Sequence, residues 1–246
     1  MLAALLLFSG CRSADFPNEV HSPDDLPGRV IGVLEGSSSI KFASELGSVS
    51  VFADSDRLLN ALRSGLVDCI LMERAAADIL VSGARGVRIL TETLLEYDLR
   101  IAVPKENVQL LSAVNSALAQ LRRDGTLAGL RDKYFIGAYF TYTPSENAAQ
   151  RSGYLRIAVP YGFAPYAFTD GYGQLVGMSV DIAHAVADIL GVDVYIDARD
   201  AGDLVTTVWF GRADFALGFV PEDSDAELVN FSDSYAQSVQ AIIVRR

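Results

Sequence analysis

The sequence has few of the side chains from which most catalytic and metal sites are built. It contains two histidines and two cysteines in 246 residues, and it shows no Ser-His-Asp set, metal-ligand cluster or phosphate-binding loop. His21 lies in a polar segment and His184 on a helical pattern with one apolar face, which are ordinary surface or packed positions. We therefore expect no catalytic residue, no metal and no cofactor.

Positive charge is also scarce. Lys and Arg number 20 against 31 Asp and Glu, which gives a net charge of -11. This balance argues against nucleic acid and anionic membrane surfaces as partners. The chain is 50% hydrophobic and 21% charged, a composition typical of one or two globular domains and not of disorder.

Long apolar runs are absent apart from residues 2–8. This run is too short to cross a bilayer and fits the apolar part of a secretory signal. The segment that ends at Cys11 resembles a lipobox, which predicts a signal over residues 1–11 and lipidation of Cys11. No basic residue precedes the run and Phe8 stands where Leu is usual, so the alternative is an apolar N-terminus with an incidental cysteine.

Two polar segments interrupt an alternation of strands and helices. Residues 12–26 read as a tether and residues 141–152 as a linker. The alternation elsewhere predicts α/β architecture with mainly parallel sheets. The predicted strands are 29–34, 67–72, 87–90, 192–196, 215–219 and 241–244, and the predicted helices are 56–64, 107–123, 126–134, 178–190 and 204–210. Cys69 lies in a buried-strand pattern, so we expect a small core residue without a disulfide partner.

A repeated unit indicates two similar lobes. A helix is followed by Gly-x-x-Asp and a strand twice, at residues 65–68 and 211–214, and glycine is the residue type that most readily ends a helix in a left-handed conformation. The hexapeptide Leu-Arg-Ile-Ala-Val-Pro also occurs twice, at 99–104 and 155–160. Buried parallel strands draw on few residue types, which explains the hexapeptide equally well.

Several motifs of the second half resemble the opening of a known family. Residues 154–160 form a strand, 162–168 an aromatic loop, and 173–183 a turn and a helix start. This pattern is similar to the first residues of the extracytoplasmic solute-binding proteins of family 3, the polar amino acid type. Residues 110–135, with Asp-Gly-Thr-Leu and Lys-Tyr-Phe, resemble the close of that family. Because the order is reversed, the chain resembles a circular permutant.

The resemblance implies the periplasmic-binding-protein fold of type II, in which two α/β lobes are hinged about a cleft. Residues 27–96 would form the smaller lobe, and residues 97–140 together with 153–246 the larger one. One hinge crossing is expected at 97–104. The second hinge crossing would fall between the two ends of the chain. We therefore expect a single covalent hinge strand. The second crossing would be completed, if at all, by noncovalent pairing of the termini.

The resemblance also implies ligand contacts from the larger lobe. Phe163 and Tyr166 match positions where family members pack aromatic rings on the ligand, and packing in the core is the alternative reading for these residues. The other candidates in this lobe are Gly218, within the strand predicted at 215–219, and Glu222, which follows that strand.

In the smaller lobe the candidates follow two strands. Ser37, Ser38 and Ser39 should open a helix, where N–H groups and hydroxyls suit an anionic or polar ligand group; ordinary capping is the alternative. Glu73 stands where amino acid binders place an acid for the ligand ammonium. The alternative for Glu73 is a surface acid paired with Arg74.

The carboxylate-binding arginine of the family is missing. Binders of free amino acids have an Arg six residues before the Phe of a Phe-Ser-x-x-Tyr motif, where it grips the α-carboxylate. The motif is here Phe231 to Tyr235, and Asp225 stands at the Arg position. Glu222 and Asp223 make the same edge acidic, so we expect a cationic or weakly anionic ligand, such as an amine.

Together these features imply a monomeric extracytoplasmic lipoprotein, anchored to the membrane by its lipid, that captures a small polar ligand for the permease of an ABC transporter. Three alternatives stay open. The first is an enzyme similar to prephenate-type dehydratases, with an acid at Glu73 as proton donor, although the missing arginine counts against a dicarboxylate substrate. The second is a degenerate lobe pair that serves as a sensor or interaction module. The third is a fragment of two tandem domains, whose halves would not pack as one unit.

Overall fold

The computed structural model describes residues 16–37, 39–144, 151–161, 163–218, 221 and 223–246. The predicted signal with Cys11 lies outside these residues, as do the candidate ligand residues Ser38 and Glu222. Within the described ranges, every helix is too short or too polar to cross a bilayer.

Strands and helices alternate along the chain as the sequence predicts. The helices are α1 Ser39–Leu46, α2 Ser55–Arg63, α3 Arg74–Ser82, α4 Val108–Arg123, α5 Thr126–Ile136, α6 Met178–Leu190 and α7 Leu204–Trp209. The strands are β1 Val30–Leu34, β2 Ser48–Phe52, β3 Cys69–Glu73, β4 Val87–Ile89, β5 Leu95–Leu99, β6 Ala102–Pro104, β7 Tyr154–Pro160, β8 Phe168–Thr169, β9 Leu175–Val176, β10 Asp193–Arg199, β11 Phe215–Ala216, β12 Val229–Phe231 and β13 Ala236–Arg245. Each predicted helix lies within two residues of its expected bounds, whereas α3 was not predicted.

The strands form two larger sheets with the same internal order. The first sheet runs β2-β1-β3-β13-β4 and the second β10-β7-β11-β6-β12. In each, the first three strands are parallel and the fourth is antiparallel to both of its neighbours. We call the first sheet with α1 to α3 the first lobe, and the second sheet with α4 to α7 the second lobe.

The chain crosses between the lobes twice, and the crossings lie side by side. β5 leads into β6, and β12 leads into β13. Ala236 is the antiparallel partner of Leu99, and the N–H of Ser232 donates to the carbonyl of Ile101 at 2.9 Å. The expected single covalent hinge strand is therefore wrong. The last strand begins at Ala236, before the predicted start at residue 241, and its first residues complete the second crossing.

The strand β13 also differs from the expected division of the chain. It pairs with β3, β4 and β5 in the first lobe, whereas the expected bounds placed residues 153–246 wholly in the larger lobe. An apolar strand pattern does not specify which sheet the strand joins, because packing against neighbours decides the pairing.

Segments from both sides of the linker build both lobes. β6 lies between β11 and β12, β13 lies between β3 and β4, and α4 packs against α6. The two halves therefore pack as one unit.

Apolar side chains cover both faces of each sheet. In the first lobe, α1 packs on one face through Phe42, and α2 and α3 pack on the other through Leu58 and Ala77. In the second lobe, α4, α5 and α6 bury one face and α7 buries the other. Strands covered in this way are apolar at successive positions, which explains the continuous runs of the sequence.

The repeated Gly-x-x-Asp unit makes the same contact in both lobes. The Asp68 carboxylate accepts from the N–H of Val30 in β1 at 2.8 Å. The Asp214 carboxylate accepts from the N–H of Arg156 in β7 at 2.7 Å. Each aspartate therefore fixes the start of the first strand of its sheet, which is why the two segments are similar.

Candidate ligand-binding site

Two loops with candidate ligand residues meet where the lobes face each other. They leave the carboxyl ends of β1 and β7, and ligands of open α/β sheets bind outside such ends. The N–H of Ala164 donates to the carbonyl of Gly36 at 3.2 Å, and Ser37 forms a parallel bridge with Ala164. The lobes are therefore in contact at the cleft.

Glu73 lies at the carboxyl end of β3 and is bound by β13. It is only 7% exposed. Its carboxylate accepts from Ser238 Oγ at 2.5 Å, from the N–H of Val239 at 3.0 Å and from Gln240 Nε2 at 3.0 Å. All three donors belong to β13, the strand through which the chain returns to the first lobe. Glu73 therefore links the crossing strand β13 to the carboxyl end of β3.

Further polar groups extend this arrangement. Ser39 Oγ donates to Gln240 Oε1 at 2.6 Å, and the hydroxyl oxygens of Ser238 and Tyr97 lie 2.9 Å apart. Ser39, Ser238 and Gln240 are each at most 1% exposed. We call Ser39, Glu73, Tyr97, Ser238 and Gln240 the hinge cluster, because β5 and β13 carry the two crossings.

The environment of Glu73 favours its neutral form. Burial raises the pKa of this carboxyl to about 7, and hydrogen bonds from Ser238 and Val239 oppose the rise; a carboxylate that is removed from water without a counterion is costly. The pairing with Arg74 that the sequence left open does not form, since Arg74 Nε donates to Asp78 at 3.1 Å.

The aromatic loop packs largely into the core in this arrangement. Tyr166 is 0% exposed, and its ring centre lies 5.5 Å from that of Phe135 and 5.4 Å from that of Phe163. Phe163 is half-buried. The Tyr166 hydroxyl is buried without a hydrogen-bond partner among the described residues. Burial, and after it the charge of Glu73, raise the pKa of this phenol, so it stays protonated and can donate a hydrogen bond.

Two other candidates make hydrogen bonds within the protein. Ser37 Oγ donates to the carbonyl of Leu34 at 2.8 Å. The N–H of the buried Gly218 donates to the hydroxyl of Tyr235 at 2.9 Å. Either group would have to exchange its bond in order to contact a ligand.

Sequence reasoning missed three members of the hinge cluster, Tyr97, Ser238 and Gln240. A signal was present for two of them, because Ser238 and Gln240 are polar residues at alternate positions of an apolar strand and must share one face. Buried polar side chains are almost always hydrogen-bonded. Their partner lies 165 and 167 residues earlier in the chain, beyond the reach of any local pattern.

The described part of the chain contains no group of three or more His, Cys, Asp and Glu side chains that could hold a metal ion. Cys69 is buried and unpaired in β3, and burial raises the pKa of its thiol to about 12. The polar chemistry of the cleft edge therefore comes from the hinge cluster and the neighbouring loops.

Comparisons with known proteins point to the second half of the chain. The family model of bacterial extracellular solute-binding proteins, family 3, matches residues 155–246. The L-cystine-binding protein TcyJ of Escherichia coli (strain K12) is 32% identical over 120 residues, which cover 47% of this chain and 45% of that protein. The lysine/arginine/ornithine-binding periplasmic protein of the same strain is 29% identical over 125 residues, which cover 46% and 48%. The chain thus spans about half the length of these relatives.

A solved structure resembles nearly the whole chain. The phosphate-binding protein of a phosphate ABC transporter from Streptococcus pneumoniae TIGR4 covers 89% of both chains with a TM-score of 0.54 and 12% identity. At this identity the likeness concerns the fold alone. Together with the order of the two sheets, it confirms the two-lobed α/β fold of type II.

Proposed function

We propose that the chain, whose residues 155–246 match the family model of bacterial extracellular solute-binding proteins, family 3, captures a small polar solute between its two lobes for an ABC transporter. The observation that carries this proposal is the position of Glu73. It is a buried carboxyl at the carboxyl end of β3, on the edge of the sheet where solutes bind in such folds.

A carboxyl at this place favours a ligand with a cationic nitrogen. A cation next to ionised Glu73 offsets the cost of burying that charge, whereas a second carboxylate would be repelled. Asp225 in place of the family's arginine acts in the same direction. The matched relatives are named for cystine and for lysine, arginine and ornithine, which supports an amino acid or an amine as the ligand.

Calorimetry of the full chain against amino acids and amines tests this proposal. We expect at least one amine-bearing compound to bind and glutamate to give no tight binding. Glu73→Gln should weaken the affinity at least about tenfold, since truncating one member of a buried charge pair commonly costs more than 1.4 kcal/mol. Glu45→Gln, at an exposed position of α1, is the matched control. Tight glutamate binding, or no binding by any compound, would contradict the proposal.

The proposal assigns no reaction to the chain. We expect prephenate to persist when it is incubated with the purified protein. Loss of prephenate without an added partner would favour the dehydratase-like alternative, in which the Glu73 carboxyl donates a proton.

We also propose that the chain is extracytoplasmic, monomeric and held at a membrane through a lipid on Cys11. The lipobox-like segment before Cys11 supports the anchor. Palmitate labelling in cells should mark the native chain and not Cys11→Ser, and equal labelling of both would contradict the anchor. Light scattering of Cys11→Ser would test the monomer.

A further inference from the structure

A cavity beside the hinge takes no part in the proposed function. Its volume is about 310 Å³, and it is bordered by the end of α4, by α5, by the start of α6 and by the crossing from β12 to β13. None of the candidate ligand residues named above is among the described residues that line it. The cavity therefore has a lining of its own, and we call it the hinge cavity.

The buried lining residues form an apolar floor. They are Leu127 and Phe135 on α5, Met178 at the start of α6 and Tyr235 in the crossing, and each is at most 7% exposed. Small-molecule sites commonly combine such a lining with a few polar groups that orient the ligand. A ligand that fits the hinge cavity therefore needs an apolar part.

The exposed lining residues form a cationic rim. Arg122 on α4 and Arg131 on α5 are both exposed, and Gln237 on β13 adds a primary amide. No Asp or Glu is among the described lining residues, although the chain as a whole has a net charge of -11. Guanidinium groups recognise oxyanions through paired N–H donors. The rim therefore suits an oxyanion.

Helical spacing and one hydrogen bond bring these groups to the same place. Leu127, Arg131 and Phe135 follow one another at intervals of four residues, so they share one face of α5. The Arg122 guanidinium donates from Nη2 to the carbonyl of Ser234, which holds it against the crossing. The two arginines, from different helices, thus border one apolar floor.

Both guanidinium groups keep N–H donors for a ligand. Among the described residues, Arg122 uses one N–H for Ser234, and Arg131 uses two for Asp132, at 3.0 and 2.9 Å. A guanidinium has about five such donors. The pair of Arg131 with Asp132 is exposed, with 64% and 40% of the two side chains accessible, and pairs of this kind contribute little free energy. An oxyanion can therefore share Arg131 at little cost.

We propose that the hinge cavity binds a small organic acid, with its apolar part on the buried floor and its carboxylate between Arg122 and Arg131. The volume of about 310 Å³ is at the lower end of the range for small-molecule sites, which suits one ring with a short chain. Gln237 belongs to a strand of the first lobe and Arg131 to a helix of the second. The bound acid would therefore contact both sides of the hinge.

Titration of the purified full chain with phenylacetate tests this inference, with binding followed through the NMR signals of the probe. We expect saturable binding at one site. Acetate lacks the ring, and phenylacetamide has the ring without the charge. Each should bind at least about tenfold more weakly, because each lacks one of the two recognised parts.

Two variants locate the binding. Arg131→Gln removes a charged donor from the rim and should weaken phenylacetate binding about three- to tenfold. Ala128→Phe, at an exposed lining position of α5, fills the cavity and should abolish binding. Arg123→Gln is the matched control, because Arg123 is the exposed neighbour of Arg122 on α4 and is not among the lining residues. It removes the same charge and should change the affinity by less than about twofold.

Absence of saturable phenylacetate binding by the native chain would overturn the inference. Equal affinities in Arg131→Gln and Arg123→Gln would also overturn it, because the charge would then act regardless of its place. Melting temperatures show whether the variants are folded, and if Ala128→Phe is not, the two arginine variants still decide. None of these results depends on the solute that the cleft captures, so they are distinct from failure of the proposed function.

Discussion

Ala236 is the antiparallel partner of Leu99, and this pair marks where the two lobe crossings lie against each other. A hinge of two adjacent strands restricts the lobes to bending about one axis, since the strands share backbone hydrogen bonds. Tyr235 continues the contact, with its N–H donating to the carbonyl of Leu99 at 2.9 Å. Both covalent connections between the lobes therefore lie side by side at one place.

The hinge should depend on the hydroxyl of Ser232. This side chain, 1% exposed, accepts from the N–H of Ile101 at 2.9 Å and donates to the carbonyl of Asp233 at 2.7 Å. Ser232→Ala would leave a buried N–H without a partner and should lower the free energy of unfolding by about 1–3 kcal/mol. Urea denaturation measures this loss. Ser116→Ala, on the exposed side of α4, should change stability by less than about 0.5 kcal/mol.

The equivalent aspartates should have similar energetic roles. Asp68→Ala removes the acceptor for Val30 and Asp214→Ala the acceptor for Arg156. Each should cost about 1–3 kcal/mol of unfolding free energy, because a part-buried N–H loses its charged partner. Urea denaturation with both variants checks the expectation. A loss confined to one variant would contradict the equivalence of the two lobes.

Stability should depend on pH through Glu73. Its pKa is about 7 in the folded protein against 4.5 ordinarily, so the folded state binds more protons. Below pH 4.5 the Glu73 carboxyl is protonated in both the folded and the unfolded state and does not lower the free energy of unfolding. Once the pH exceeds about 7, ionisation of Glu73 lowers the free energy of unfolding by up to about 3 kcal/mol. Glu73→Gln should therefore raise the melting temperature at pH 8 and change it little at pH 5. A stabilisation of equal size at both pH values would rule out ionisation as its cause.

We infer that the chain order is permuted relative to the family, and a rearranged chain should test this. Arg245 Nη2 donates to the carbonyl of Pro17 at 3.1 Å, so the end of β13 lies near the first described residues. A chain with residues 151–246 first, then a Gly-Ser linker of about eight residues, then residues 16–144 should fold to the same structure, since the linker reaches up to ~28 Å. Circular dichroism and the melting temperature provide the comparison. Failure of this chain to fold would count against the inferred permutation.

Local sequence patterns predicted where the helices and loops lie better than they predicted which distant residues these segments pack against. The apolar period of α4 and the N-cap at Asn107, which accepts from Leu110 at 3.0 Å, could be read from adjacent residues, as could the left-handed Gly191 after α6. The helix α3 was missed although its sequence, Arg-Ala-Ala-Ala-Asp-Ile-Leu-Val-Ser, contains good helix formers. The aromatic loop was located correctly, but the full burial of Tyr166 follows from packing against Phe135.

At the candidate site, too, adjacent residues predicted the position of a side chain but not its contacts. Glu73 could be singled out because it ends an apolar strand, yet its hydrogen-bond donors lie on β13. The raised pKa of Glu73 comes first from burial, and burial is a property of the assembled lobes. Neither could be derived from the residues adjacent to Glu73.

The sequence by itself determined the alternation of strands and helices, the similarity of the two lobes and the resemblance of residues 155–246 to the solute-binding proteins of family 3. It did so because periodicity, caps and motifs are expressed within a few neighbouring residues. Only the tertiary structure decided that β13 belongs to the first lobe, that both crossings are covalent and that Glu73 is held by the hinge. All three features depend on contacts between residues that are distant in sequence. The pattern of an apolar strand does not specify which strand it pairs with, because packing against neighbours decides the pairing.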